Sequence, residues 1–247
     1  MASNDELGAT EQRRENMKTK TKLWLAIWLL ISLSACQSKP EFINHPAPNL
    51  AISMDVFFDD TLLPNFGCHD IQAPSSFIGA LDPAYPIAIC AIQLMPGETN
   101  EELAAEIESG QFFYYSGGLF GSYVRYIIYQ NGEYVLLKAE EDFRKVFAPI
   151  ESPDEALSYV LAVKNLSAYY GLQYDPAYEY EVDTIEDTYV TPDADGYLIH
   201  LFYDQVFGCG PHWTSEVDIH VSVEGNIEER SGRQIFRDPN TDEVCFD

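Results

Sequence analysis

Positive charge is scarce in this chain. Its 247 residues hold 14 lysines and arginines against 40 aspartates and glutamates, a formal net charge of −26. Nucleic-acid binding draws on clustered lysine and arginine that displace counterions from phosphates, so this balance argues against a nucleic-acid partner. Anionic headgroups would repel the chain as well. It also lacks an apolar run of the ~20 residues that crosses a bilayer core; the stretch Leu23–Leu33 is shorter and is broken by Ser32. No serine elbow, phosphate-cradling loop or dinucleotide fingerprint occurs. The acid excess does not imply disorder. Carboxylates are interleaved with Phe, Tyr, Val, Ile and Leu, and aromatics make up 13% of the chain, a globular composition with an acidic skin.

What is present is organised around Met17–Cys36. Lys18, Lys20 and Lys22 form a cationic start, and Leu23–Leu33 follows as an apolar core. Its length suits the ~7–15 residues of a signal peptide. Leu33-Ser34-Ala35-Cys36 then closes the segment with small residues before a cysteine, and polar Gln37, Ser38 and Lys39 come next. These parts in this order resemble the signal peptide and lipobox of bacterial lipoproteins. The resemblance implies cleavage before Cys36 and acylation of Cys36 on its thiol-linked glyceryl and its amino group. Gln37 in place of Asp resembles the outer-membrane sorting pattern of Gram-negative members. Two or three fatty chains hold durably, where one binds only marginally at ~0.8 kcal/mol per methylene. An ordinary secreted protein cut near Ser34 or Ala35, or an uncleaved anchor, are the alternatives; Leu33 is too large for the small-x-small rule at an Ala35 cut. Met1–Asn16 carries Asp5, Glu6, Glu11 and Glu15, out of place in a positive signal start, so translation is expected to begin at Met17 or residues 1–16 to be a disordered extension.

Removing residues 1–35 leaves 212, enough for one large domain or two small ones. Five of the basic residues and four of the acidic ones precede Cys36, so the remainder carries nine against 36, a formal charge of −27. Solubility explains that charge; cation binding is the sharper alternative. Cys68, Cys90, Cys209 and Cys245 remain, an even number that in an exported chain reads as two disulfides with three possible pairings. Cys68–Cys90 and Cys209–Cys245 are favoured because each closes a loop within its own half, contributing about 3–4 kcal/mol in the chain-entropy model.

Residues 36–50, with prolines at 40, 46 and 48, read as an extended lipidated tether, and 51–247 as the acidic globular region, with possible halves 51–148 and 149–247 divided at Pro149. A first strand is expected over 51–58. Thr99-Asn100-Glu101-Glu102 is a capping box opening a helix to about Glu108. Asn131-Gly132 joins the β-rich runs Tyr123–Tyr129 and Glu133–Lys138 as a hairpin. Glu140–Phe147 should be a helix, acids first and Arg144-Lys145 last. Ser152-Pro153-Asp154-Glu155 opens another, to about Leu166, apolar on more than one face and so central and buried. Strands then follow over Glu179–Thr184, Thr188–Thr191, Tyr197–Tyr203, Glu216–Val223 and Glu228–Phe236, with Val217, Ile219, Val221 and Val223 marking a sheet with one wet face. The order predicts an α+β fold, antiparallel sheets packed on a few helices. On topology alone it is similar to cystatin-like and PepSY-type modules, whose motifs are absent.

Three constellations invite chemistry. Cys209 with His212, His220 and Asp218 has the residue types of a thiol nucleophile and its base; Cys68, His69, Cys209 and His212 have those of a zinc site. Oxidised cysteines in tight glycine loops are the simpler reading. Asp238, Asn240 and Asp242 imitate a calcium-loop start, but Glu243 occupies the glycine position, and a turn is expected, as at Asp193-Ala194-Asp195-Gly196. Tyr169, Tyr170, Tyr174, Tyr178 and Tyr180 are either a stacking surface or sheet packing. The expectation is a non-enzymatic cell-envelope lipoprotein with a binding or structural role, its membrane partner reached through the lipid, with no catalytic residue, metal ligand or cofactor assigned. The alternatives are a divalent-cation or small-ligand-binding lipoprotein and a Cys/His hydrolase.

Overall fold

The computed structural model describes residues 39–52, 63–93, 101–118 and 121–246. The expected strand 51–58 and the capping residues Thr99 and Asn100 lie largely or wholly outside them. In chain order the elements are β1 (Glu41–Ile43), β2 (Asp70–Gln72), β3 (Ile87–Ile92), α1 (Glu101–Glu108), β4 (Tyr123–Gln130), β5 (Glu133–Leu137), α2 (Glu140–Phe147) and α3 (Pro153–Val163). There follow β6 (Glu179–Tyr180), β7 (Thr184–Glu186), β8 (Tyr189–Asp193), β9 (Gly196–Asp204), β10 (Gly208–Cys209), β11 (Trp213–Ser222), β12 (Ile227–Arg237) and β13 (Cys245–Phe246). The fold is α+β. One antiparallel sheet has the order β2-β3-β4-β5, a second β6-β12-β11-β9-β8, and β10 pairs with β13.

The second helix of the pair joined at Pro149 holds the fold together. Ser152 caps α3, its Oγ accepting from the Glu155 amide at 3.2 Å, and Pro153 starts the first turn without needing a donor. Every residue from Glu155 to Val163 is buried. The largest apolar cluster places α3 with Val124, Tyr126 and Ile128 of β4 and with Ile199, Leu201, Val217 and Ile219 of β9 and β11. The two sheets therefore share a core that crosses Pro149, and residues 40–247 form one compact unit. The buried hydroxyls at the helix are matched, while Glu155 Oε1 is buried without a hydrogen-bond partner among the described residues. Ser158 Oγ donates to Phe77 O at 2.7 Å and accepts from Ala80 N at 3.1 Å, and Tyr126 Oη donates to Ala162 O at 2.8 Å. Tyr159 Oη donates to Gly225 O at 3.1 Å. Gly225 has φ +80°, and a Cβ there would stand 2.8 Å from that hydroxyl, so the β11–β12 turn needs glycine for two reasons.

Local signals elsewhere hold. Asn131 (φ 55°) and Gly132 (φ 89°) turn β4 into β5 in the left-handed conformation a tight hairpin requires. α2 spans the expected residues and buries Phe143 and Phe147.

Two expectations are corrected. Residues 36–50 are not a free tether throughout: β1 pairs in parallel with β7, Glu41 opposite Thr184 and Ile43 opposite Glu186. The outer face of the second sheet is not wholly wet either, because Phe202 and Ile235 are covered by Ile185, Phe42, Leu172 and Tyr180. The physical reason for both is Asp187. Its fully buried carboxylate accepts from Gly171 N (2.6 Å), Leu172 N (3.0 Å), His45 N (3.1 Å) and the Asn44 side-chain amide (3.1 Å). A buried charge is tolerated when donors surround it in this way.

A second buried charge is Arg125, 1% exposed on β4, whose Nε donates to Gln111 O at 2.7 Å and whose Nη2 lies 3.0 Å from Glu106 Oε2. Lys138 hydrogen-bonds the other oxygen of Glu106. Lys138, opposed by desolvation and joined by Arg125, holds the Glu106 carboxyl below its ordinary range. A depressed carboxylate stabilises the fold above its unfolded-state value and loses that contribution as pH falls through the folded one.

Two outcomes are expected in urea unfolding. Asp187→Ala should cost about 3–4 kcal/mol by leaving its donors buried and unpaired, against about 1 kcal/mol for Asn44→Ala. Glu106→Gln should cost about 3 kcal/mol at pH 7, where Arg125 is left uncompensated, and the difference from the parent should close towards pH 3.

Candidate functional site

Cys68 is bonded to Cys90, and Cys209 to Cys245. The nucleophile and zinc readings both need a free thiolate, and neither Cys68 nor Cys209 supplies one. His212 sits between the carbonyls of Gly208 (3.1 Å) and Thr241 (3.2 Å), while His69 is exposed. His220 Nε2 faces Asp195 Oδ1 at 3.0 Å and Asp193 Oδ2 at 3.7 Å, in the β8–β9 turn rather than near Cys209. Asp238 caps the single turn Pro239–Thr241, accepting from Asn240 N at 2.9 Å, and Asp242 pairs with Arg237. The calcium-like run is thus a turn. The five tyrosines divide: Tyr169 packs on Phe202, Tyr170 on Phe77, Tyr174 on Tyr180, and Tyr178 lies flat on Phe236. They do not make one platform.

Two arrangements escape sequence reasoning. On the outer face of the second sheet, buried His200 places Nδ1 2.8 Å from Asp218 Oδ1, with Tyr189 stacked on its ring at 5.2 Å. Ser231 Oγ donates to Asp218 Oδ2 at 2.6 Å, and Glu216 binds Arg233 Nε at 2.5 Å. The residue types suggest a hydrolase triad, but the geometry does not. The hydroxyl is bonded to the carboxylate, whereas a nucleophile must be bonded to the imidazole nitrogen that takes its proton.

The second arrangement is concave. α3 stops at Val163, and the chain leaves through Asn165–Ser167, which Ser167 pins to β9 by two backbone bonds with Phe202, of 2.8 and 2.9 Å. Two hollows share the rim at Asn165 and Ser167. The first, about 300 Å³, runs between Phe77, Ile89, Tyr114, Tyr126 and Leu161. The second, about 400 Å³, lies between Tyr115 and Gly117 on one side and Tyr203, Val206 and Phe207 on the other. Gly117 (φ +84°) makes that approach possible, since a Cβ there would stand 2.3 Å from the Phe207 ring. Tyr115 is fixed by its hydroxyl, which donates to Gly118 O at 2.7 Å.

Asp204 belongs to this second hollow. Its carboxylate accepts from Tyr169 Oη at 2.5 Å and Thr214 Oγ1 at 2.8 Å. Burial, and then the Asp204 charge, push the Tyr169 phenol up to about 12, so it stays a donor at neutral pH. Asn165 and Gln205 also line the hollow, and among the described residues neither side-chain amide has a hydrogen-bond partner. Rings on two sides and unspent amides make a surface able to hold a polar ligand. The signal was diffuse: a Tyr pair at 114–115, the Tyr203–Phe207 run and the end of a helix, whose meeting no spacing reveals.

No protein-family model matches the chain, and neither a curated protein nor a solved structure matches it. The cysteine chemistry can be checked directly. Ellman's reagent added to the unreduced Cys36→Ser variant should find no thiol from Cys68, Cys90, Cys209 or Cys245, and all four should appear after reduction and unfolding.

Proposed function

We propose that this protein is a lipoprotein of the bacterial cell envelope, acylated on Cys36, whose folded domain has a non-enzymatic binding role, with the aromatic hollow at the end of α3 as its site. The observation that carries the reading is the ordered sequence of cationic start, short apolar core and Leu33-Ser34-Ala35-Cys36. Two disulfides support an oxidising compartment. Chain length supports a short connection to the acylated residue: the four peptide links from Cys36 to Pro40 span at most ~14 Å. With nine basic residues against 36 acidic ones after the signal, the lipid rather than the protein surface does the holding. Gln37 favours the outer membrane in a Gram-negative cell.

The cation-binding alternative has the acid excess in its favour. Among the described residues, however, no group of three or more His, Cys, Asp or Glu side chains converges as a metal site. The hydrolase alternative is built on Cys209, which is bonded to Cys245.

Globomycin should cause an unprocessed precursor to accumulate, and labelled palmitate should enter the protein but not its Cys36→Ala variant. Processing that ignores both the drug and the substitution would replace the lipoprotein reading with an ordinary secreted or uncleaved one.

A further inference from the structure

The second hollow is specific in what it offers. Three large aromatic side chains around it are left well exposed: Tyr203 at 43%, Phe207 at 39% and Tyr115 at 39%. Between them lie the Asn165 and Gln205 amides, the Ser167 hydroxyl and one carboxylate, Asp204. A purely apolar ligand would desolvate those amides without repaying their hydrogen bonds. An anionic ligand would meet Asp204 with no lysine or arginine among the described residues that line the hollow, on a domain whose formal charge is strongly negative. A simple cation would find Asp204 already engaged by two hydroxyl donors and no second carboxylate beside it.

What remains is a neutral molecule with an apolar face and many hydroxyls, and we propose that the hollow binds a saccharide. The C–H face of a pyranose carries slight positive charge and packs on the negative face of an aromatic ring. Its edge hydroxyls both donate and accept, as do amides, while Asp204 retains lone pairs for a further donor. A volume of about 400 Å³ falls at the small end of ligand sites and suits a mono- or disaccharide unit rather than a folded partner. The walls come from both halves of the chain, Tyr115 from the segment before β4 and Tyr203 from β9, so the site exists only when the sheets are packed together.

The inference names a ligand class for the binding role proposed above, but it does not depend on the anchor. The full-length protein as purified is titrated, by calorimetry and saturation-transfer NMR, with cellotetraose, maltotetraose, tri-N-acetylchitotriose and, as an acidic comparison, tetragalacturonate. At least one neutral oligosaccharide should bind with a Kd below about 1 mM, and the galacturonate should not. Tyr203→Ala and Asn165→Ala, both at exposed positions, should each weaken binding about tenfold or more, and Tyr178→Ala should leave it unchanged. No binding by any neutral probe at millimolar concentration, binding by the acidic one alone, or binding indifferent to both trough variants would each overturn the assignment. Sugar binding by an unacylated protein would keep this inference and sink the anchor; an acylated protein blind to every probe would do the reverse.

Discussion

An eleven-residue helix with no exposed side from Glu155 onward sets the terms for everything around it. A helix apolar on one stripe needs one partner layer, whereas one apolar all round needs partners on every side. Here the two antiparallel sheets and the Ser76–Ile78 turn supply them, and the hydroxyls that cannot avoid the core are hydrogen-bonded: Ser158 to the turn, Tyr126 to the Ala162 carbonyl, Tyr159 to the β11–β12 loop. The hollows then follow from the helix's length. Where α3 ends at Val163, the space between the sheets is no longer filled by it, and the exiting segment can only line what is left.

The second constraint lies on the opposite face of the larger sheet. An antiparallel sheet can leave that face to water, and Glu216, Asp218 and Ser231 do so in part. The end bearing Phe202 and Ile235 is instead roofed by β1, β7 and the connection after α3, and one carboxylate draws those pieces together. Asp187 substitutes for a larger apolar interface there. The result ties Glu41–His45 into the domain, although those residues lie among prolines.

The elements legible in the sequence were those with local causes. A serine cap followed by proline, an Asn-Gly between β-rich runs, acids and bases sorted along eight residues and alternation over β11 all act within a few positions, and α3, the β4–β5 hairpin, α2 and the β11–β12 pair stand where those signals put them. The cysteine pairing was also legible, because each bridge closes a short loop, with separations of 22 and 36 residues. β1 was not. Three residues among prolines carry no periodicity, and their partner lies more than 140 positions away. The same holds for Asp187, one acid among 40, and for His200 and Asp218, which become neighbours only through the β9–β11 register. The tyrosines were visible as a cluster but misleading as one, since packing distributes them over separate contacts.

Acid abundance is what hid the functional signal, and it is also what sharpens it. In a chain this rich in carboxylates, paired acids identify nothing by themselves. The informative ones are those the fold removes from water, because desolvating a charge requires donors in return. Asp187 has backbone amides, Glu106 has Arg125 and Lys138, and Glu155 accepts from the Glu151 amide. Asp204 differs from these three. Its donors are neutral hydroxyls, one from a phenol held protonated, and it borders an open hollow rather than a closed core. A carboxylate arranged that way presents a hydrogen-bonding edge to the hollow, and its position on an otherwise acidic surface is the ground on which a neutral, hydroxyl-rich ligand is proposed over an anionic one.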